Sequence, residues 1–228
     1  MVNKNPRQGR SFHVFFSIIL FLFLIFQTLI PLDTIATQER ILPRSADQGP
    51  WWSNFTVSSL GQDTNSPSVV ISNGTLHSVF VNSGVYYSQS QDNGKTWSAA
   101  KMLSDLGTTG ANTPSIFANG SEVYIVWDQE AGSVQTHKLY YTKSNNFGAS
   151  FSKALMLSGV SGHWSTDQKI VEEGNSVYVV WADDRDDPSR ANQELYLKRS
   201  DDKGVTWGAD QRFTFASWPS WHPWIGVL

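Results

Sequence analysis

Three short segments of this chain repeat one another: Ser90-Gln91-Asp92-Asn93-Gly94-Lys95-Thr96-Trp97, Ser144-Asn145-Asn146-Phe147-Gly148-Ala149-Ser150-Phe151 and Ser200-Asp201-Asp202-Lys203-Gly204-Val205-Thr206-Trp207. Their starts lie 54 and 56 residues apart. A period of that size means one supersecondary unit stacked in series. An aromatic strand precedes each segment: Val85-Tyr86-Tyr87, Leu139-Tyr140-Tyr141 and Leu195-Tyr196-Leu197. Further upstream come strand pairs, clearest at Ser121 to Asp128 and Ser176 to Trp181, with Pro67 to Ile71 and Pro114 to Phe117 ahead of them. Asn73-Gly74 and Asn119-Gly120 sit between apolar runs, where both residues tolerate the positive φ of a tight type I′ hairpin turn.

Each unit therefore reads as four short antiparallel strands, A to D, with the repeated segment in the C–D turn. That is one propeller blade. After residue 50 no stretch has helical periodicity, so the body is expected to be all-β. A fourth unit begins at His222-Pro223-Trp224-Ile225-Gly226-Val227.

The Ser-x-Asp-x-Gly-x-Thr-Trp pattern has a mechanical explanation. Asp92 and Asp202 can bond backbone N–H groups two residues on and hold a turn, with Ser90, Thr96, Ser200 and Thr206 as the other members of the structural box. Gly94 and Gly204 supply left-handed backbone, and Trp97 and Trp207 fold under as plugs. Ser144, Asn146 and Gly148 form a degenerate copy with Phe151 for the Trp. A feature recurring in every unit is a structural device rather than a catalytic pair.

With its spacing, the pattern resembles the Asp box, or BNR repeat, of bacterial and viral-type sialidases and their six-bladed propeller relatives, over residues 55 to 228. The resemblance implies a sialidase-type propeller of which about three blades are present. It also implies that the boxes lie away from the active site. Sialidases use an arginine cluster for the substrate carboxylate, a Tyr activated by Glu, and an Asp as general acid, in a retaining two-step scheme. Where the family has Arg-Ile-Pro at the first A strand, this chain reads Asn65-Ser66-Pro67. Arg40-Ile41-Leu42-Pro43 lies more than twenty residues earlier and is coincidental.

If the boxes mark one end of each blade, function belongs to the loops at the other. These are the B–C loops, Trp127 to Glu130 and Asp183 to Arg190, and the D–A loops, Ser161 to Trp164 and Ser217 to His222. Trp faces stack on sugar rings, while acids and Arg hold hydroxyls or a carboxylate. The expected ligand-binding residues are Arg185, Arg190, Asp128, Glu130, His163, Trp164 and Trp221. Asp183, Asp184 and Tyr196 are the weak catalytic candidates. Tyr86, Tyr87, Tyr140, Tyr141 and Tyr196 recur between blades, which favours packing over catalysis. For Asp183 to Asp187 two other readings stand: a solvated loop with local salt bridges, and a calcium site assembled from carboxylates. No metal site and no other cofactor is expected.

Cysteine is absent, which excludes disulfides and thiolate chemistry. A formal net charge of -3 and no Lys/Arg run beyond the N-terminus remove nucleic acid as a partner. Lys4, Arg7 and Arg10 precede the apolar stretch from Phe12 to Phe26, expected as an N-terminal hydrophobic helix. Residues 1–36 are read as a signal peptide or a retained membrane anchor, 37–54 as a linker, and 55–228 as a partial propeller, secreted or held at the cell surface. Asn54, Asn73 and Asn119 begin glycosylation sequons. The expected partner is an extracellular glycan or glycoprotein. Three blades leave open edges, so further blades are expected from a longer chain or from self-association. Three functions remain: glycan recognition without an intact sialidase site, glycoside hydrolysis, and a cell-surface scaffold that binds protein.

Overall fold

The computed structural model describes residues 64–104, 110–130, 136–158 and 163–227. Every regular element among them is a β-strand. Sheet 1 holds β1 (Asn65–Ser72), β2 (Thr75–Val81), β3 (Val85–Ser90) and β4 (Lys101–Met102). Sheet 2 holds β5 (Asn112–Asn119), β6 (Glu122–Glu130), β7 (His137–Ser144) and β8 (Leu155–Met156). Sheet 3 holds β9 (Ser165–Glu173), β10 (Ser176–Asp183), β11 (Glu194–Ser200) and β12 (Gln211–Arg212). Each strand pairs antiparallel with its sequence neighbour, giving three meanders of the expected form. The hydrophobic segment at 12–32 and the linker lie outside the described residues. No helix among the described residues is long and apolar enough to cross a membrane.

Two sequence expectations are corrected at the turns. Asn73 and Gly74 carry φ of 47° and 76°, the signs of a type I′ turn. In sheets 2 and 3 the two loop residues are Gly120-Ser121 and Gly174-Asn175, with positive φ only at the glycine. These are the signs of a II′ turn, so Asn119 closes β5 instead of making the bend. Trp127 to Glu130 are not a loop either. β6 runs through Glu130 because Asp128, Gln129 and Glu130 pair with Leu139, Lys138 and His137 of β7.

The C–D turns are built alike, and their acid reaches further than two residues. Ser90 Oγ accepts from the Gly94 N–H (2.8 Å), and Asp92 Oδ1 accepts from the Thr96 N–H (2.9 Å). Ser200 and Asp202 repeat this onto Gly204 and Thr206 at 2.8 Å each. Asn146 preserves the plan with its amide: Oδ1 accepts from the Ser150 N–H (2.9 Å), and Nδ2 donates to Ser150 Oγ (2.8 Å). Two successive left-handed residues bend the chain here, Asn93-Gly94, Phe147-Gly148 and Lys203-Gly204. These turns share an end with the A–B turns, since Phe147 and Lys203 donate to the carbonyls of Ser121 and Asn175 (2.8 Å each).

The cores lie between sheets. One joins Val79, Val85 and Tyr87 of sheet 1 to Ile116, Val123, Ile125 and Trp127 of sheet 2. The other joins Tyr124, Val126, Leu139 and Tyr141 of sheet 2 to Ile170, Val177, Val179 and Trp181 of sheet 3. Within each sheet a B-strand ring stacks on a C-strand tyrosine: Phe80 on Tyr86, Trp127 on Tyr140 and Trp181 on Tyr196, at 6.1, 6.0 and 5.9 Å. Burying roughly 200 Å² per indole contributes on the order of 5 kcal/mol before entropy, against about 1 kcal/mol net for an ordinary hydrogen bond. The aromatic joints dominate stability, and the polar turns set direction.

Ser66, Thr113 and Asp167 near the start of each first strand have φ of 48°, 39° and 57°. His222 follows in phase with φ of 53°, and its Nδ1 meets Asp167 Oδ2 at 3.2 Å. His222, in the expected start of a fourth unit, thus shares the left-handed φ of those three residues.

Candidate functional site

At the end of sheet 3 opposite its C–D turn, the 184–193 loop follows β10 and the 213–221 segment follows β12. The D–A residues His163 and Trp164 enter just ahead of β9. The three together enclose a pocket of about 290 Å³ lined by Trp164, Asp184, Arg190, Ala191, Gln193 and Trp221. Three expected ligand-binding residues, Trp164, Arg190 and Trp221, therefore converge, and the catalytic candidate Asp184 joins them.

Local chemistry fixes this arrangement. Asp184 is buried, and its Oδ1 accepts from the Trp164 N–H (2.9 Å) and meets His163 Nδ1 (3.0 Å). Its carboxylate acts as a clamp on the D–A loop. Asp187 organises the facing loop: Oδ1 accepts from the Ser189 N–H (2.9 Å), and Oδ2 from the Ala191 (2.8 Å) and Asn192 (2.7 Å) N–H groups. These bonds, led by those to Ser189, hold the Asp187 carboxyl down at about 2. The loop so formed carries Arg190 at φ 57°, a conformation non-glycine residues rarely adopt. Its guanidinium makes no ion pair among the described residues. Trp164 and Trp221, 38% and 57% exposed, flank the opening with large apolar faces.

The other candidates point elsewhere. Arg185 turns inward over Tyr196 (4.4 Å to the ring centre), its Nη2 donates to Asp183 (2.7 Å), and its Nη1 donates to Asp210 (2.6 Å). Burial pushes the Asp183 carboxyl up, but the Arg185 fork, Ser165 and the Trp181 indole N–H prevail and hold it below the ordinary range. Tyr196 belongs to the repeated stack with Trp181, and its hydroxyl bonds Asp186. Burial, then that carboxylate, push the phenol above its ordinary value, away from the phenolate a nucleophile needs. Asp183 to Asp187 thus spend their carboxylates on Arg185, Trp164, Tyr196 and loop backbone. Among the described residues no three His, Asp or Glu side chains are grouped to hold a metal ion.

Asp128 is buried under the pocket's flank. Its Oδ1 accepts from Thr113 Oγ1 (2.5 Å), and Oδ2 pairs with His137 Nδ1 (2.7 Å), whose ring lies 5.1 Å from that of Trp164. Glu130 lies against Gly110, not at the pocket. Sequence reasoning missed His137, Lys138, Gln168, Gln193 and Glu194. Lys138 is 7% exposed, its Nζ has no hydrogen-bond partner among the described residues, and burial lowers its pKa. Glu194, 1% exposed, accepts from the Ala216 N–H (3.0 Å) and pairs with Arg212 (3.0 Å), fixing the 213–216 segment. The one available signal was a charged residue beside the C-strand aromatics, where the first repeat has Gly84.

The sequence matches no protein-family model and no curated protein. The fold does have relatives. A Hadza microbial sialidase superposes with a TM-score of 0.52 at 15% identity, over 63% of this chain and 36% of that one. A polysaccharide lyase of the PL25 ulvan lyase family gives 0.52 at 11%, over 67% and 44%. The GH93 α-L-arabinofuranosidase of Fusarium graminearum gives 0.50 at 16%, over 68% and 50%. This chain thus spans half or less of the length of each of these structures. The likeness establishes the fold: the three sheets are blades of a β-propeller.

Proposed function

We propose that this chain is a sialidase-like propeller of the Asp-box type that recognises extracellular glycans at the Trp164/Arg190/Trp221 pocket, without sialidase chemistry. The observation that carries this reading is the pre-set geometry of that pocket. Two exposed tryptophans line it beside a guanidinium that makes no ion pair among the described residues, and Asp184 and Asp187 hold both loops. Indole faces suit the C–H faces of sugar rings, and a guanidinium suits a carboxylate or sulfate.

The C–D turns are read as Asp boxes because their Ser, Asp and Gly bond in one plan, and the blades as part of a six-bladed ring. Residues 1–36 are read as a signal peptide or an anchor, which puts the body outside the cell. That the superposed propellers include a sialidase, a polysaccharide lyase and an arabinofuranosidase supports a glycan ligand. The loss of catalysis is supported by Asn65-Ser66-Pro67 at the first strand, by the inward turn of Arg185, and by the bonded, buried Tyr196.

A glycan array and a fluorogenic sialoside test this together. Binding that is lost in Trp164→Ala and Arg190→Ala, with no sialoside turnover, is expected. Turnover that survives in Trp164→Ala but vanishes in Tyr196→Phe would overturn the noncatalytic reading. Silence on the array would overturn glycan recognition.

A further inference from the structure

Asn-Gly occurs three times in this chain, at Asn73-Gly74, Asn93-Gly94 and Asn119-Gly120, each time in an A–B or C–D turn at the end opposite the pocket. Spontaneous loss of the side-chain amide is easiest at this dipeptide, because glycine has no Cβ to shield its nitrogen or restrain the peptide. The glycine nitrogen gives up its proton to base and bonds to the asparagine Cγ, Nδ2 leaves as ammonia, and a cyclic imide remains. Water then opens either carbonyl of the ring. The products are aspartate and isoaspartate, the second with its main chain running through the side-chain carbons, and water is the sole co-reactant.

The asparagines do not separate the three places. All are exposed, and Asn73 and Asn93 share the left-handed region, with φ of 47° and 60°. The glycine nitrogens do separate them. The Gly94 N–H donates to Ser90 Oγ (2.8 Å), and the Gly120 N–H donates to Ser72 Oγ (3.0 Å), which reaches it from the neighbouring sheet. Each bond keeps the proton on the nitrogen and fixes the peptide that must turn toward Cγ. At Asn119 the leaving group is held as well, since Nδ2 donates to Glu172 Oε2 (2.8 Å) of a residue 4% exposed. Gly74 is exposed, and its N–H has no acceptor among the described residues.

We propose that Asn73 is the site at which this protein ages by succinimide formation, and that Ser72 and Ser90 keep Asn119 and Asn93 intact. The modified residue and its protected counterpart are coupled. Isoaspartate at position 73 puts an extra carbon into the hairpin loop that the Ser72–Thr75 pair closes. The shift draws Ser72 Oγ off the Gly120 N–H, so Asn119 converts second. None of this depends on what the pocket binds.

The test keeps the full chain in mildly alkaline buffer and follows the three peptides by mass spectrometry, which reads the exchange of amide for acid, with isoaspartate scored by enzymatic methylation. Asn73 should convert while Asn93 and Asn119 keep their amides, and in concentrated urea all three should convert at comparable rates. Ser72→Ala should speed Asn119 about fivefold, the weight of one ordinary hydrogen bond, and leave Asn93 unchanged as the sign that the fold is kept. Equal rates at the three places in the folded chain, a lead for Asn73 that persists in urea, or an Asn119 indifferent to Ser72→Ala would overturn the proposal.

Discussion

The hydroxyl of Tyr141, on the third strand of blade 2, fills the place where a Cβ on Gly204 of blade 3 would lie. An alanine there meets two penalties: a left-handed φ of 76° and displacement of a buried ring. Gly204→Ala should cost roughly 2–5 kcal/mol. Against the described residues a Cβ on Gly94 makes only an ordinary contact with Leu76, so Gly94→Ala should show the backbone penalty, roughly 1–2 kcal/mol. Urea unfolding of the two variants reads the difference, and equal losses would mean that the tyrosine contributes nothing to the constraint.

Acid should loosen the C–D turns before it reaches the joints. Bonds from Thr96 and Ser90 hold the Asp92 carboxyl at about 2, below its ordinary 3.8. A depressed pKa stabilises the fold above the ordinary value, and that share is lost as pH falls from about 4 to about 2. Because the group is exposed, the effect is small. Asp92→Asn, which copies what blade 2 already does with Asn146, should flatten this part of the pH profile of the urea midpoint.

Breaking the buried charge cluster of blade 3 should be severe. Arg185→Ala leaves Asp183 with neither its fork nor its partner in a site 1% exposed. The expected loss is about 3–5 kcal/mol. Since the Asp183 carboxyl is held below the ordinary range, its contribution is present above that range and fades in acid. Comparing denaturant midpoints of Arg185→Ala and the parent at neutral and acidic pH should show the gap narrowing as pH falls.

The His137–Asp128 pair runs the other way. The hydrogen bond to Asp128 raises the imidazole above 6.5 against the opposing pull of burial. Its stabilisation is therefore full below 6.5 and lost as pH rises through the folded value. The His137 ring proton, followed by NMR, should titrate above 6.5, and Asp128→Asn should bring the midpoint down. Since His137 touches Trp164, ligand affinity at the pocket should weaken in the same alkaline window.

Much of this was legible because each unit repeats its punctuation. Ser, Asp or Asn, and Gly at fixed offsets located every C–D turn, and the aromatic residues ahead of them located β3, β7 and β11. Trp164, Arg190 and Trp221 were readable as pocket residues because they lie in loops that the alternating strands must send to one end. The end of β6 was not readable: Asp128 and Glu130 look like loop residues until Leu139 and His137 are seen opposite them. Nor was the packing of Tyr87 on Gly148 and of Tyr141 on Gly204, because each tyrosine and its glycine lie in different repeats, and nothing local distinguishes either tyrosine from Tyr86 or Tyr140. The offset that sends Tyr86 onto Phe80 and Tyr87 onto Gly148 is one residue, and it becomes visible only when the strand is pleated.

That both cores lie between consecutive sheets bears on how the chain acquires its structure. Within each sheet every strand pairs with the one just made, and each core is complete once the following sheet arrives. Such short sequence separations are unusual for an all-β body and favour rapid formation. The first joint can close while the third unit is still being synthesised, so folding can advance along the chain from its N-terminal side, one sheet behind the ribosome.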